Sequence, residues 1–150
     1  MKKIKTILMA IIAIILISCS NSKITDNMKD VTFEDYENYS GEKLSLSLEQ
    51  TIDLFDSMNW NTAVFLYFPI TDTNLFQIMY NNENQFLVEI TNDSDDMIYH
   101  QKYADKETSK ELIKEFFEKH KVDAESLTGF FRVPIMSKTL DEVMKDEEII

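Results

Sequence analysis

The stretch Leu75–Thr91, LFQIMYNNENQFLVEIT, decides the fold. Two runs rich in β-branched and large apolar residues, Leu75–Tyr80 and Phe86–Thr91, flank the polar Asn81-Asn82-Glu83-Asn84-Gln85. That arrangement predicts an antiparallel hairpin with a solvated tip. Polarity selects its register. With an odd-length loop, Phe76, Ile78 and Tyr80 share one face with Phe86, Val88 and Ile90, and every member is apolar. A slip by one residue would mix Gln77 and Glu89 into both faces, because side chains alternate along a strand.

Working outward, Asn92–Asp96 reads as a second turn leading to a strand over Met97–Tyr103. There Met97, Tyr99 and Tyr103 are expected to face the core, with His100 and Lys102 pointing away. Upstream, Thr62–Phe68 is continuously apolar, aromatic and β-branched, which suits a strand covered on both faces, and Pro69 ends it. Before it, Ser47 and Gln50 fit a capping box. Leu48, Ile52 and Phe55 recur at helical spacing, so a helix over Leu48–Met58 is expected. Thr108-Ser109-Lys110-Glu111 is a second candidate capping box. It opens a helix over Ser109–His120 with an apolar stripe of Leu112, Ile113, Phe116, Phe117 and His120. Phe130–Ile135 reads as a short edge segment, since Pro134 lacks the N–H a central strand needs. Leu140–Glu148 reads as a last short helix. The fold class is therefore α+β: an antiparallel four-stranded meander packed against one or two helices, in α-β-β-β-β-α order, forming one domain over residues 46–150.

Composition narrows the function classes. The 150 residues are 44% hydrophobic and 28% charged, with 27 acidic residues against 15 basic and a net charge of −12. That balance argues against a disordered chain, a multi-span membrane protein and nucleic-acid binding. Glycine occurs only twice, at Gly41 and Gly129, so no Gly-rich phosphate loop can be assembled. A single cysteine excludes an intramolecular disulfide and a cysteine-based zinc cluster.

The N-terminus reads as an address. Lys2, Lys3 and Lys5 precede the uninterrupted apolar run Ile7–Ile17. A bilayer-spanning helix needs about 20 apolar residues, so this shorter run matches the core of a signal peptide. Leu16-Ile17-Ser18-Cys19 resembles the lipobox of bacterial lipoproteins. The resemblance implies that the leader, residues 1–18, is removed and that the Cys19 sulfur carries a diacylglycerol. An ordinary secreted protein with a cysteine beside its cleavage site is the alternative. Removing three lysines with residues 1–18 takes the net charge from −12 to −15. Residues 19–45 then form a lipid-anchored tether, Ser20–Asp30, and an acidic, aromatic-dotted strap. Ser20 follows the cysteine where an aspartate would signal inner-membrane retention. The resemblance thus implies the outer membrane, facing the periplasm, in a two-membrane host, and the cell exterior in a single-membrane one.

Candidates for chemistry are few. His120 falls on an apolar helix stripe, where a packed or C-terminal histidine is the ordinary reading. Glu89 and His100 form the one acid–base pair that the expected register brings together, and a surface ion pair explains it as well as catalysis does. Asp93-Ser94-Asp95-Asp96 lacks the glycine and the distal acid of a calcium loop. No catalytic or metal-binding residue is assigned, and no cofactor beyond the acyl chains on Cys19 is expected. What remains is the second face of the meander, with Gln77, Met79, Leu87, Glu89, His100 and Lys102. It is either covered by another element or is a partner surface.

The strand Phe86–Ile90, the tyrosine-bearing strand after it and the amphipathic helix Ser109–Phe117 resemble small immunity proteins that neutralise antibacterial toxins. The resemblance spans Leu75–His120 and carries no individual contact residue. It implies a membrane-anchored binding protein that occludes a basic, envelope-acting protein toxin. The alternative is a periplasmic carrier or assembly factor whose curved sheet cups a lipid or small apolar ligand. No nucleic acid and no enzymatic activity are expected.

Overall fold

The computed structural model describes residues 27–35, 42–60, 63–72, 74–82, 85–91, 98–123, 129–134 and 137–147. The lipobox Leu16–Cys19, the Asp93–Asp96 turn and Met97 lie outside the described residues.

The chain is α+β, and its sheet has seven antiparallel strands where the sequence suggested four. In chain order the elements are β1 (Lys29–Asp35), β2 (Glu42–Leu46), α1 (Leu48–Ser57), β3 (Ala63–Pro69) and β4 (Leu75–Asn82). They continue with β5 (Gln85–Thr91), β6 (Ile98–Ala104), α2 (Lys106–Lys119), β7 (Phe131–Pro134) and α3 (Leu140–Glu147). The sheet order is β2-β1-β3-β4-β5-β6-β7. The expected meander is thus the run β3 to β6, extended at both edges. The segment read as a strap instead supplies β1 and β2, so the folded domain begins well before residue 46. Alternation explains this: Val31 and Phe33 face the helices while Asp30 and Thr32 face outward, and Val31 is fully buried.

Both longer helices pack on one face of the sheet. Ser47 caps α1 as expected: its hydroxyl accepts from Gln50 N and the Gln50 side chain accepts from Ser47 N. The start of α2 differs from the sequence expectation. Asp105 is the N-cap, its carboxylate accepting from Thr108 N at 2.7 Å, and Ser109 lies buried in the first turn, its hydroxyl donating to the Asp105 carbonyl. Between helices and sheet sit Phe55, Leu66, Phe68, Phe76, Ile78, Val88, Ile90, Ile113 and Phe116, all fully buried. Phe68 and Phe76 stack at 4.9 Å across β3 and β4, and Phe116 of α2 closes on both. Near the β4–β5 tip, Trp60 packs edge-on against Phe55 and Phe86, with its indole N–H donating to the Phe55 carbonyl at 3.0 Å. An aromatic core of this density contributes both burial and edge-to-face attraction.

Candidate binding face

The β4–β5 hairpin adopts the register its polarity demands. Phe76 faces Ile90, Ile78 faces Val88 and Tyr80 faces Phe86, all toward the helices. Gln77, Met79, Leu87 and Glu89 consequently share the outer face, as expected.

The next strand corrects the expected face. In β6, Gln101 stands opposite Glu89 and His100 opposite Ile90. Tyr99, Gln101 and Tyr103 therefore lie on the outer face, while His100 and Lys102 lie on the helix side. Glu89 and His100 are not brought together, so the one acid–base pair suggested by the sequence is not assembled. His100 is buried, and its Nε2 makes no hydrogen bond among the described residues. Lys102 is half-buried there, with its ammonium 5.2 Å from the Phe130 ring centroid. His120 caps α2 in a left-handed conformation at φ 56° and is exposed.

Instead, the outer face carries a polar row across three strands. Gln77 Nε2 donates to Glu89 Oε1 and Gln101 Nε2 donates to Glu89 Oε2, each at 2.5 Å. Glu89 is only 4% exposed. Burial pushes its carboxyl above the usual carboxylate range, and the two amide donors oppose that shift by stabilising the ionised form. Sequence reasoning missed Gln101 and Tyr99. The signal was available in Glu89 itself, since a buried acid needs donors on its own face.

Around this row the outer face has two halves. On one side α3 covers it: Leu140 and Val143 pack with Val133, Phe131, Leu87 and Tyr103, and the Tyr103 hydroxyl donates to Asp141 Oδ1 at 2.9 Å. On the other side Phe65, Tyr67, Leu75, Gln77 and Met79 remain half-buried, outside that cluster. The face mixes aromatic, thioether and amide groups, the composition of an interface centre with few charges. Covering by another element thus describes the half of the face under α3.

A separate open groove of about 370 Å³ runs along α2, lined by Lys102, Thr108, Glu111, Leu112, Glu115 and Glu118 among others. Its walls are charged, unlike those of an apolar ligand site. Among the described residues no group of three His, Cys, Asp or Glu side chains is placed to hold a metal ion, and no helix is long and apolar enough to cross a membrane. In comparisons with known proteins, no family model, no curated protein and no solved structure matches this chain.

Proposed function

We propose that this protein is a membrane-anchored lipoprotein whose acidic α+β domain binds and blocks an envelope-acting protein toxin, using the open half of its outer sheet face. The observation that carries this reading is the half-buried set Phe65, Tyr67, Leu75, Gln77 and Met79 beside the area that α3 covers. Aromatic and methionine side chains at this density suit the desolvated centre of an interface. The net charge, −12 for the whole chain and −15 once residues 1–18 are removed, supports the choice of a cationic partner, since complementary fields accelerate encounter. Cys19, preceded by Leu16, Ile17 and Ser18, supports the anchor. In this reading the domain works by occlusion and needs no catalytic group.

The carrier alternative, a curved sheet cupping a lipid or small apolar ligand, has less support. The sheet's helix-side surface is filled by Phe55, Phe68, Phe76 and Phe116, each fully buried.

The test is a pull-down from native membranes with the chain tagged at its C-terminus, analysed by mass spectrometry of both proteins and small molecules. The reading expects one basic secreted protein in stoichiometric amount, whose toxicity in the envelope is relieved by co-production of this chain. Recovery of a lipid or small molecule in place of a protein would overturn it in favour of the carrier.

A further inference from the structure

The chain enters the domain at one end of the sheet, beside the C-terminal end of α2. Asn27, the first described residue, donates through Nδ2 to the Phe117 carbonyl at 2.8 Å, in the last turn of α2. Two residues on, the Lys29 ammonium donates to His120 Nδ1 at 2.9 Å and lies 6.0 Å from the Phe116 ring centroid. A lysine ammonium can only donate, so this contact uses the unprotonated ring nitrogen of His120. The entering chain is thus fastened to the C-terminal end of α2.

Strand directions assign the rest. β1, β4 and β6 start at the end where Lys29 meets α2, and α2 returns to it from Ala104. The β4–β5 tip, with exposed Asn81 and Gln85, therefore lies at the opposite end, as does the Trp60 contact with Phe86. The two ends are separated by the length of β4, which at 8 residues is about 26 Å.

From these contacts we propose that the domain stands on the membrane with the α2 C-terminal end down, its exposed Lys119 and Lys121 against phospholipid headgroups and the β4–β5 tip held away. The inference rests on the reading of Cys19 as acylated. Seven residues lie between Cys19 and Asn27, and the eight Cα–Cα steps give a contour of about 28 Å when fully extended. Turning the domain over would raise Asn27 by the height of the sheet, about 26 Å, and would leave the tether almost no slack. Chain length thus favours one end, and the lysines give it a phosphate-binding chemistry. Glu118 and Asp123 flank them, and Glu115 pairs with Lys119 at 3.0 Å, so the contact is one of local ammonium–phosphate pairs and not of a basic patch.

The experiment uses the full chain, matured in cells and reconstituted into phosphatidylethanolamine–phosphatidylglycerol vesicles that contain a headgroup-labelled acceptor lipid. Because Cys19 is the sole cysteine, an introduced cysteine is the only free thiol once that sulfur is acylated. Met28→Cys, beside Asn27 at the α2 C-terminal end, and Asn81→Cys, both at exposed positions, each take one donor fluorophore. The proposal expects several-fold greater energy transfer from position 28 than from position 81. Equal transfer, or greater transfer from position 81, in a sample whose intact mass includes the acyl chains would overturn the orientation alone. An intact mass without acyl chains on Cys19 would overturn the anchor and the orientation together.

Discussion

Glu89 and Gln101 face each other across β5 and β6, and the buried carboxylate takes its second hydrogen bond from that carboxamide, the first coming from Gln77 on β4. Two neutral donors hold one negative charge on a face where, among the described residues, no cation is bonded to it. Burial therefore dominates, and the native carboxyl titrates above its ordinary value of 4.5.

That direction sets a pH dependence. A carboxyl that is raised in the native state binds its proton more tightly folded than unfolded, so its contribution favours folding below about 4.5 and is lost as pH climbs through the raised native value. Glu89→Gln keeps the shape and removes the charge, and either flanking amide can flip to restore a donor–acceptor row. Urea denaturation from pH 4 to 7 is expected to show the variant gaining stability over wild type as pH rises. A constant difference across that range would mean that Glu89 is not the group responsible.

Asp56 runs the other way. It bonds Lys106 at 2.7 Å and Lys110 at 2.8 Å, and these bonds hold its carboxyl below the usual range. Its contribution is present above pH 3.8 and falls away as pH drops through the lowered native value. The group is 39% exposed, so Asp56→Asn is expected to destabilise by less than about 1 kcal/mol at pH 7, and the loss should shrink in high salt. Thermal melts at two ionic strengths check this.

The contrast between β5 and β6 shows what the sequence could convey. In β5 one stripe is wholly apolar, so burial alone fixed the register. In β6 neither stripe is: Ile98, His100 and Lys102 oppose Tyr99, Gln101 and Tyr103. Counting tyrosines as core residues sent them to the wrong face. The Tyr103 hydroxyl instead bonds Asp141 on the outer face, while His100 and Lys102 occupy the helix side. β1 was hidden for a related reason. Its outward Asp30 and Thr32 interrupt a pattern whose core members, Val31 and Phe33, are only two residues, and a strap explained them equally well. The candidate face was half legible: Gln77, Met79, Leu87 and Glu89 fall together on the register that polarity selects, whereas Phe65 and Tyr67 are hidden inside a run that reads as buried on both sides.

Packing predicts a large asymmetry between the two faces. Phe116 is fully buried and touches Phe68, Phe76 and Phe117, so Phe116→Ala should lose about 3–5 kcal/mol. Met79→Asp, at a half-buried outer position, should lose far less, with the native circular dichroism retained. Equal losses in chemical denaturation would mean that the outer face is core.

The reciprocal cap at Ser47 gives a smaller, cleaner effect. Ser47→Ala removes the acceptor for Gln50 N and should destabilise by about 1 kcal/mol. Ser47→Gly should recover most of that loss, because glycine exposes the helix end to water. Identical midpoints for all three proteins would show that the α1 terminus does not depend on the cap.

The most direct test of the account is the affinity of the partner recovered from native membranes for wild type and for Met79→Asp, measured by biolayer interferometry at low and high salt. The account predicts that the variant weakens binding by at least about 2 kcal/mol, roughly 30-fold, as for a central interface residue. It also predicts that added salt slows association of the wild type, as complementary charge requires. Undiminished affinity in a folded Met79→Asp protein would contradict the claim that the open half of the outer sheet face is where this domain binds.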